Sequence, residues 1–186
     1  STGMALSIDD ILQLFQRRAR KQYGREAVSQ MEHALQCAQL AEEAGETSET
    51  IVASLLHDVG HLIAAENADR VDDTQEHDDL HEYIALPFLR SVLPDAVLEP
   101  IRLHVEAKRY LCIADPGYWD TLSPASKHSL EQQGGPYSQD AAAAFLLQPF
   151  AQEAIRLRRY DDFAKVPQKA TPDLAYFATR LRAVAL

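Results

Sequence analysis

The sequence has few cysteines, no excess of basic residues and no long apolar run, and each deficit excludes a class of protein. Two cysteines among 186 residues are too few for a disulfide framework, and they favour a reduced, cytoplasmic setting. The formal net charge of −10 argues against the phosphate backbone of a nucleic acid as a partner. Since the sequence has neither an apolar run of membrane-spanning length nor a signal-like segment, membrane insertion and secretion are not expected.

Glycine and proline are not enriched either, with 7 and 9 residues, and no tract of low complexity is present. Extended disorder is therefore not expected. A length of 186 residues suits one compact domain with its own core. We predict a single domain over residues 1–186, in which Ser1 to Gly3, ahead of Met4, are interpreted as an expression scar.

Apolar residues recur with the helical period along most of the chain, and no segment shows a convincing strand pattern. The polar, acidic stretch from Ala64 to Asp79 is interpreted as a long loop. The pattern predicts an all-α fold. The predicted helices run from Ser7 to Tyr23, Arg25 to Ala44, Ser48 into the motif "HDVGH", Leu80 to Val92, Asp95 to Leu111, Ser123 to Gly134, Ser138 to Val166 with a candidate break at Pro149, and Asp173 to Val184.

The motif "HDVGH" places polar side chains in an otherwise apolar segment, where burial without partners would be costly. His57 and His61 are four residues apart, so a continuous helix would present them on one face. Asp58 lies about 100° round the helix from His57. A nitrogen and a carboxylate can therefore reach one point, as ligands of a metal ion or as a hydrogen-bonded pair in the core.

Further histidines and one aspartate occur in other helical, partly apolar segments. They are His33 in "QMEHALQCA", His81 in "DLHEYIALPFL", His104 in "RLHVEAKRYL" and Asp161 in "LRRYDDFAK". Taken singly, each is more often a satisfied polar residue than a ligand. Together with His57 and Asp58 they form a nitrogen and oxygen donor set that suits iron, manganese or zinc. Neither cysteine is assigned to this set, so a structural zinc–thiolate site is excluded.

The order of His33, the His57–Asp58 pair and Asp161 resembles the HD-domain superfamily, an all-α fold that holds a metal between helices. Five longer segments resemble the HD-domain mixed-valent di-iron oxygenases of the PhnZ/TmpB type, which cleave organophosphonates. The segments are "YGREAVSQMEHALQCA", "LLHDVGH", "HVEAKRYL", "LSPASKHSLEQQGG" and "RLRRYDDFAK". The resemblance implies an HD-domain helical bundle with a dinuclear metal site in its core.

The resemblance also implies a role for each matching residue. The implied ligands of two irons, Fe(II) and Fe(III), are His33, His57, Asp58, His81, His104 and Asp161. Asp58 is expected to bridge the two ions. The implied substrate-binding residues are His61, Lys108, Ser126, Gln133 and Arg158, with Ser129 as a further candidate. Tyr23 and Glu26 are implied to act together, the tyrosine capping one iron until the substrate displaces it.

The implied reaction is the O2-dependent cleavage of a carbon–phosphorus bond, with phosphate as one product. The implied substrate is a 1-hydroxy-(2-amino or 2-trimethylammonio)ethylphosphonate, which would give glycine or betaine, and an unsubstituted hydroxymethylphosphonate is an alternative. A metal-dependent phosphohydrolase acting on a nucleotide or phosphate ester is the main rival. Two further alternatives are a di-iron polyol oxygenase and a ligand-sensing module without catalysis. In the acidic loop, His77 is an alternative ligand to His81.

Overall fold

The computed structural model describes residues 6–20, 27–68 and 86–186, and every regular element in these ranges is an α-helix. The predicted all-α fold is confirmed. The helices are α1 (Ile8–Arg18), α2 (Gln30–Glu43), α3 (Ser48–Leu56), α4 (Val59–Ala68), α5 (Asp95–Ala114), α6 (Tyr118–Thr121), α7 (Pro124–Gln132), α8 (Gln139–Leu146), α9 (Ala151–Phe163) and α10 (Leu174–Val184). Residues 86–89 are also helical.

Serine caps define three of the predicted helix starts. Ser7, Ser123 and Ser138 each accept a hydrogen bond from a backbone amide three residues on, as predicted. Helix α2 begins after Ser29, later than the predicted start at 25. The Ser29 hydroxyl accepts from the amide of Glu32, while the Glu32 carboxylate accepts from the amide of Ser29. This reciprocal capping box satisfies two backbone donors and fixes the start of the helix.

The predicted helix through "HDVGH" is interrupted at the motif itself. Helix α3 ends at Leu56 and α4 begins at Val59, so His57 and Asp58 lie in the turn between them. The carbonyl of Ser54 would accept from the amide of Asp58 in a continuous helix. It accepts instead from Nδ1 of His57, at 2.7 Å. The expectation of one unbroken helix through the motif was therefore wrong.

The predicted stretch from Ser138 to Val166 forms two helices, with the break at the candidate position. Helix α8 ends at Leu146 and α9 begins at Ala151. Pro149 lies between them and has no amide hydrogen to donate. Phe150 then takes a left-handed conformation, with φ of 68°, which turns the chain into α9.

Helix α3 lies at the centre of the domain and contacts α2, α5, α9 and α10. Apolar side chains of these helices and of α1 form the main core. Polar groups lie inside this shell, among them three histidines and one aspartate that are at most 3% exposed: His33, His57, His104 and Asp161. Among the helices described, none combines the length and the apolar character that crossing a bilayer requires.

Two polar contacts fix the helices around this interior. Glu46, between α2 and α3, accepts from Nε of Arg156 at 2.8 Å and from the Tyr160 hydroxyl at 2.5 Å, which joins it to α9. On the other side, Arg109 of α5 donates to a carbonyl just beyond α7, at 2.7 Å. Gly134 ends α7 with φ of +108°, and an added Cβ would lie 3.0 Å from the Arg109 guanidinium. Glycine is required there because both the conformation and the space exclude a side chain.

Candidate metal centre

Three buried histidines meet in the interior, and each is held through the same ring nitrogen. His33 lies at the start of α2, His57 directly follows α3, and His104 lies in the middle of α5. Each Nδ1 lies 2.6–2.7 Å from a backbone carbonyl oxygen and donates to it. The three acceptors belong to Ala164, Ser54 and Ile101. Nε2 of each ring is thereby left to bind a metal ion, the arrangement that ligating histidines commonly show.

The Nε2 atoms converge on two carboxylates. Nε2 of His33 lies 2.8 Å from Oδ1 of Asp161 and 3.1 Å from Nε2 of His57. Nε2 of His57 lies 3.2 Å from Oδ2 of Asp58. Five of the six predicted ligands are thus brought together. Two groups of donor atoms, each within 4.8 Å of one another, share His57: His33, Cys37, His57 and Asp161, and His57, Asp58 and His104.

One carboxylate oxygen in this cluster indicates that a cation belongs there. Oδ2 of Asp58 is buried, and within the described part of the chain it accepts no hydrogen bond. It faces Nε2 of His57 at 3.2 Å and Nε2 of His33 at 3.5 Å. Burying such an oxygen without a partner is costly, and a metal ion would remove that cost. Because imidazole and carboxylate donors suit iron, manganese and zinc, these residues fit a metal centre.

The electrostatics of the cluster also favour added positive charge. Burial opposes protonation of His33, but the interaction with Cys37 and the hydrogen bond to Asp161 raise its pKa to about 10. Burial also opposes protonation of His57, yet Asp58 and its acidic neighbours hold the pKa well above its usual range. Conversely, burial alone would raise the pKa of Asp58 and Asp161, but nearby cationic groups hold both well below the usual value. The two aspartates therefore remain negative inside the protein.

Cys37 is a member of the cluster that the sequence interpretation left out. It is fully buried on α2, one turn after His33, and its Sγ lies 3.9 Å from Nε2 of His33. The spacing of four residues places both side chains on one face of the helix, so this signal was available in the sequence. The expectation that no cysteine lies at the site was therefore wrong.

Two cations that were predicted to bind the substrate are buried beside the ligands. Lys108 of α5 is 1% exposed and Arg158 of α9 is 4% exposed. Burial raises the pKa of the Cys112 thiol, and the charges of Lys108 and Arg158 oppose that rise. A buried cation is expensive unless anionic groups surround it, and this pair therefore requires negative partners.

Carboxylates already hold Arg158 on two sides. Nη1 lies 2.9 Å from Oδ2 of Asp161, and Nη2 lies 2.7 Å from Oδ1 of Asp162. The hydroxyl of Tyr118, on α6, donates to the other oxygen of Asp162. Arg158 thus holds the outer oxygen of a predicted metal ligand, a role that the sequence interpretation did not assign to it.

The remaining predicted substrate-binding residues belong to α4 and to the end region of α7. His61 of α4 is buried, with Nε2 3.7 Å from Oδ1 of Asp58. Ser126 of α7 is buried, and Gln133, the C-terminal cap of the same helix, is half-buried. The side chain of Lys165 was not singled out from the sequence, yet its Nζ lies 3.3 Å from Oγ of Ser126.

Three predicted site residues lie outside the described ranges. They are Tyr23, Glu26 and His81, and the alternative ligand His77 lies there too. Their roles stay predictions from the sequence, as does the loop predicted over residues 69–79. Residues 64–68 belong to helix α4, so the predicted start of the loop at Ala64 was wrong.

Known proteins resemble this chain over most of its length. The family model described as the HD domain matches residues 31–144. The [1-hydroxy-2-(trimethylamino)ethyl]phosphonate dioxygenase (glycine-betaine-forming) of Leisingera caerulea is 39% identical over 165 residues, which cover 89% of this chain and 83% of that protein. The hydroxymethylphosphonate dioxygenase of Gimesia maris is 41% identical over 178 residues, covering 94% and 86%. An uncharacterized protein of Acanthamoeba polyphaga mimivirus is 35% identical over 176 residues, covering 92% and 78%.

Proposed function

The chain belongs to the HD-domain family, and we propose that within it the protein is an iron- and O2-dependent oxygenase that cleaves the carbon–phosphorus bond of a 1-hydroxyphosphonate. The substrate class comes from the names of two relatives, one acting on hydroxymethylphosphonate and one on a trimethylaminoethyl analogue. The proposed substrates are a 1-hydroxy-(2-amino or 2-trimethylammonio)ethylphosphonate, giving glycine or betaine, or hydroxymethylphosphonate. The observation that carries the proposal is the pair of overlapping donor groups that share His57 beside two buried cations.

The reaction balances with dioxygen as the only oxidant. The carbon–hydrogen and carbon–phosphorus bonds at C1 break, the carbon becomes a carboxylic acid, and phosphorus leaves as phosphate. Both atoms of dioxygen enter the products, and dioxygen takes up the four electrons that the substrate loses. A hydrolase that adds only water cannot perform this oxidation, so the requirement for O2 separates the two classes.

The proposed ligands divide between the two donor groups. His33, His57 and Asp161 would hold one iron, and Asp58 and His104 would serve the other, with Asp58 bridging and His81 added from outside the described ranges. When bound, a mixed-valent Fe(II)/Fe(III) pair supplies Lewis acidity toward the substrate oxygens and the electrons that activate dioxygen. The hydrogen bonds from the Nδ1 atoms to carbonyls would keep each imidazole oriented while the site is loaded.

The buried cations would bind the phosphonate. A phosphonate is close to a dianion, and a chain with net charge −10 must offset its own field locally to bind one. Lys108 and Arg158 provide positive charge from two helices, and Ser126 and Gln133 provide hydrogen-bond donors. Tyr23 and Glu26 are proposed to act at the iron and near the substituent on C2, respectively.

The test is phosphate release by iron-loaded protein from hydroxymethylphosphonate and from both ethylphosphonates, with and without oxygen. We expect phosphate release only in air, with one O2 consumed for each phosphate released. Anaerobic release, or release from phosphate esters alone, would instead indicate the metal-dependent phosphohydrolase.

His104→Ala should abolish the reaction and lower the bound iron from about two ions per chain to about one, since His104 belongs to one donor group only. The matched control is His128→Ala, at an exposed histidine of α7, which should retain both the activity and the two bound iron ions.

A further inference from the structure

The chain that follows α9 is fastened to α2 on both sides of Lys165. We refer to residues 164–166 as the strap. The carbonyl of Ala164 accepts from Nδ1 of His33 at 2.7 Å. The amide of Val166 donates to Oε1 of Gln36 at 3.0 Å, and the carbonyl of Val166 accepts from Nε2 of Gln36 at 2.7 Å. Because Gln36 is 1% exposed, a buried side chain fixes the strap directly behind a predicted metal ligand.

The side chain of Lys165 extends from this strap to α7. Its Nζ lies 3.3 Å from Oγ of Ser126 and 3.3 Å from Oγ of Ser123. The Ser123 hydroxyl also approaches Oγ of Ser126, at 3.2 Å. An ammonium can only donate, so Lys165 occupies a lone pair of the Ser126 oxygen and directs the hydroxyl hydrogen of that residue elsewhere. Ser126 is the buried hydroxyl proposed to donate to the phosphonate.

The carboxylates around Arg158 reduce the positive charge that this residue can offer to a phosphonate. Arg158 is largely balanced by Asp161 and Asp162, with contacts of 2.9 and 2.7 Å. A phosphonate near these two carboxylates would be stabilised by further positive charge, in addition to that of Lys108 and of the proposed iron ions. Lys165 is half-buried, and its Nζ lies within hydrogen-bond distance of Ser126, the hydroxyl proposed to bind the phosphonate.

Resting on the proposed function, we infer that Lys165 is a further substrate-binding residue, whose ammonium contacts the phosphonate together with the Ser126 hydroxyl. The strap is its positioning device, since the residues on either side of Lys165 are held by α2. The strap also links substrate binding to the metal centre, because its first carbonyl accepts from the ring of His33.

The test compares variants of the iron-loaded enzyme by steady-state kinetics with the best phosphonate substrate. Lys165→Met removes the charge, and we expect KM to rise about tenfold, the size of one lost charge-assisted contact, while kcat changes less than about threefold. Lys165→Gln, which keeps a donor without charge, should behave similarly, and Lys165→Arg should restore most of the affinity. The control is Lys169→Met, at an exposed lysine further along the same segment, which should leave both constants unchanged.

A binding measurement separates this inference from the proposed function. Inorganic phosphate, the proposed product, is titrated calorimetrically into each metal-loaded variant, and both charge-removing variants should bind it about tenfold more weakly than wild type. Equal phosphate affinity and equal KM in Lys165→Met and Lys169→Met would overturn the inference. A fall in kcat without a change in KM would also overturn the inference, because it would mean that the strap acts only by positioning His33. If wild type releases no phosphate from any phosphonate, the proposed function fails, while the phosphate titration still reports on Lys165.

Discussion

Arg158 and Arg159 are consecutive residues of α9, and each binds a carboxylate in a different environment. Nη2 of Arg158 lies 2.7 Å from Asp162, with side chains 5% and 9% exposed. Nη2 of Arg159 lies 2.9 Å from Asp115, with side chains 42% and 39% exposed. The two contacts have nearly the same length, but the first pair is buried, and Asp162 also accepts from the Tyr118 hydroxyl. Replacing each aspartate by asparagine therefore compares a buried, hydrogen-bonded ion pair with an exposed one.

We expect Asp162→Asn to destabilise the protein far more than Asp115→Asn. An exposed pair of this kind contributes about 0–1 kcal/mol, because water and salt screen it. Removing one partner of a buried pair costs about 3–5 kcal/mol, since the other charge is left without compensation. Asparagine keeps one acceptor, and Asp161 still contacts Nη1 of Arg158 at 2.9 Å, so we expect about 2–3 kcal/mol for Asp162→Asn. For Asp115→Asn we expect about 0.5 kcal/mol or less.

The assay is urea unfolding at pH 7 with a chelator present, so that metal binding does not contribute to the free energy. The difference between the variants should persist in 1 M salt, which screens the exposed pair and hardly affects the buried one. Similar free energies of unfolding for the two variants would refute the reasoning. Tyr118 gives an internal check, because its hydroxyl donates to Asp162 and Tyr118→Phe should cost about 1 kcal/mol.

Three further predictions concern the surroundings of the ligands. Cys37→Ala should retain the bound metal, measured by elemental analysis, because the proposed ligands are imidazoles and carboxylates; loss of one ion would make the thiol a ligand. Gln36→Leu should weaken iron binding about tenfold in a competition with a chelator, because it releases the strap that holds the partner of His33. Unchanged affinity would contradict that positioning role. Glu46→Gln should lower the free energy of unfolding by about 1–2 kcal/mol at pH 7. Although burial opposes ionisation, the hydrogen bonds from α9 lower the pKa of Glu46 below its usual value of 4.5. The contribution of Glu46 to the free energy of unfolding is therefore fully present above that usual value. It is lost as the pH falls through the pKa of the folded state. The variant and wild type should therefore become equally stable in acid, and a difference that stays constant with pH would contradict this account.

Features that depend on nearby residues could be predicted from the sequence. Ser7, Ser123 and Ser138 cap helices because a serine hydroxyl can reach an amide three residues on, and this geometry is local. The capping box at Ser29 and the position of Cys37 one turn after His33 follow the same local rules, and closer attention to spacing would have found them. The pairing of Arg158 with carboxylates three and four residues later was readable in the same way.

Features that join distant parts of the chain could not be predicted in this way. The strap lies beside α2 although about 130 residues separate them in the sequence. Lys165 and Ser126 lie on different elements, and no periodicity relates their positions. The break between α3 and α4 lets His57 and Asp58 face groups from distant helices, and those groups cannot be identified from the local sequence. Such contacts are set by packing, because only the folded chain brings both partners together.

Asp161 connects the proposed metal ligands to Arg158, one of the cations proposed to bind the phosphonate. Its Oδ1 lies 2.8 Å from Nε2 of His33, and its Oδ2 lies 2.9 Å from Nη1 of Arg158. Burial favours the neutral acid, but Arg158 and His57 together hold the pKa well below the usual range, so the carboxylate stays charged and serves both neighbours. Under the proposed function, the carbon to be oxidised is bonded directly to phosphorus. The phosphonate group must therefore bind next to the metal centre. A single buried carboxylate provides that proximity, because one of its oxygens faces the histidines His33 and His57 while the other contacts Arg158.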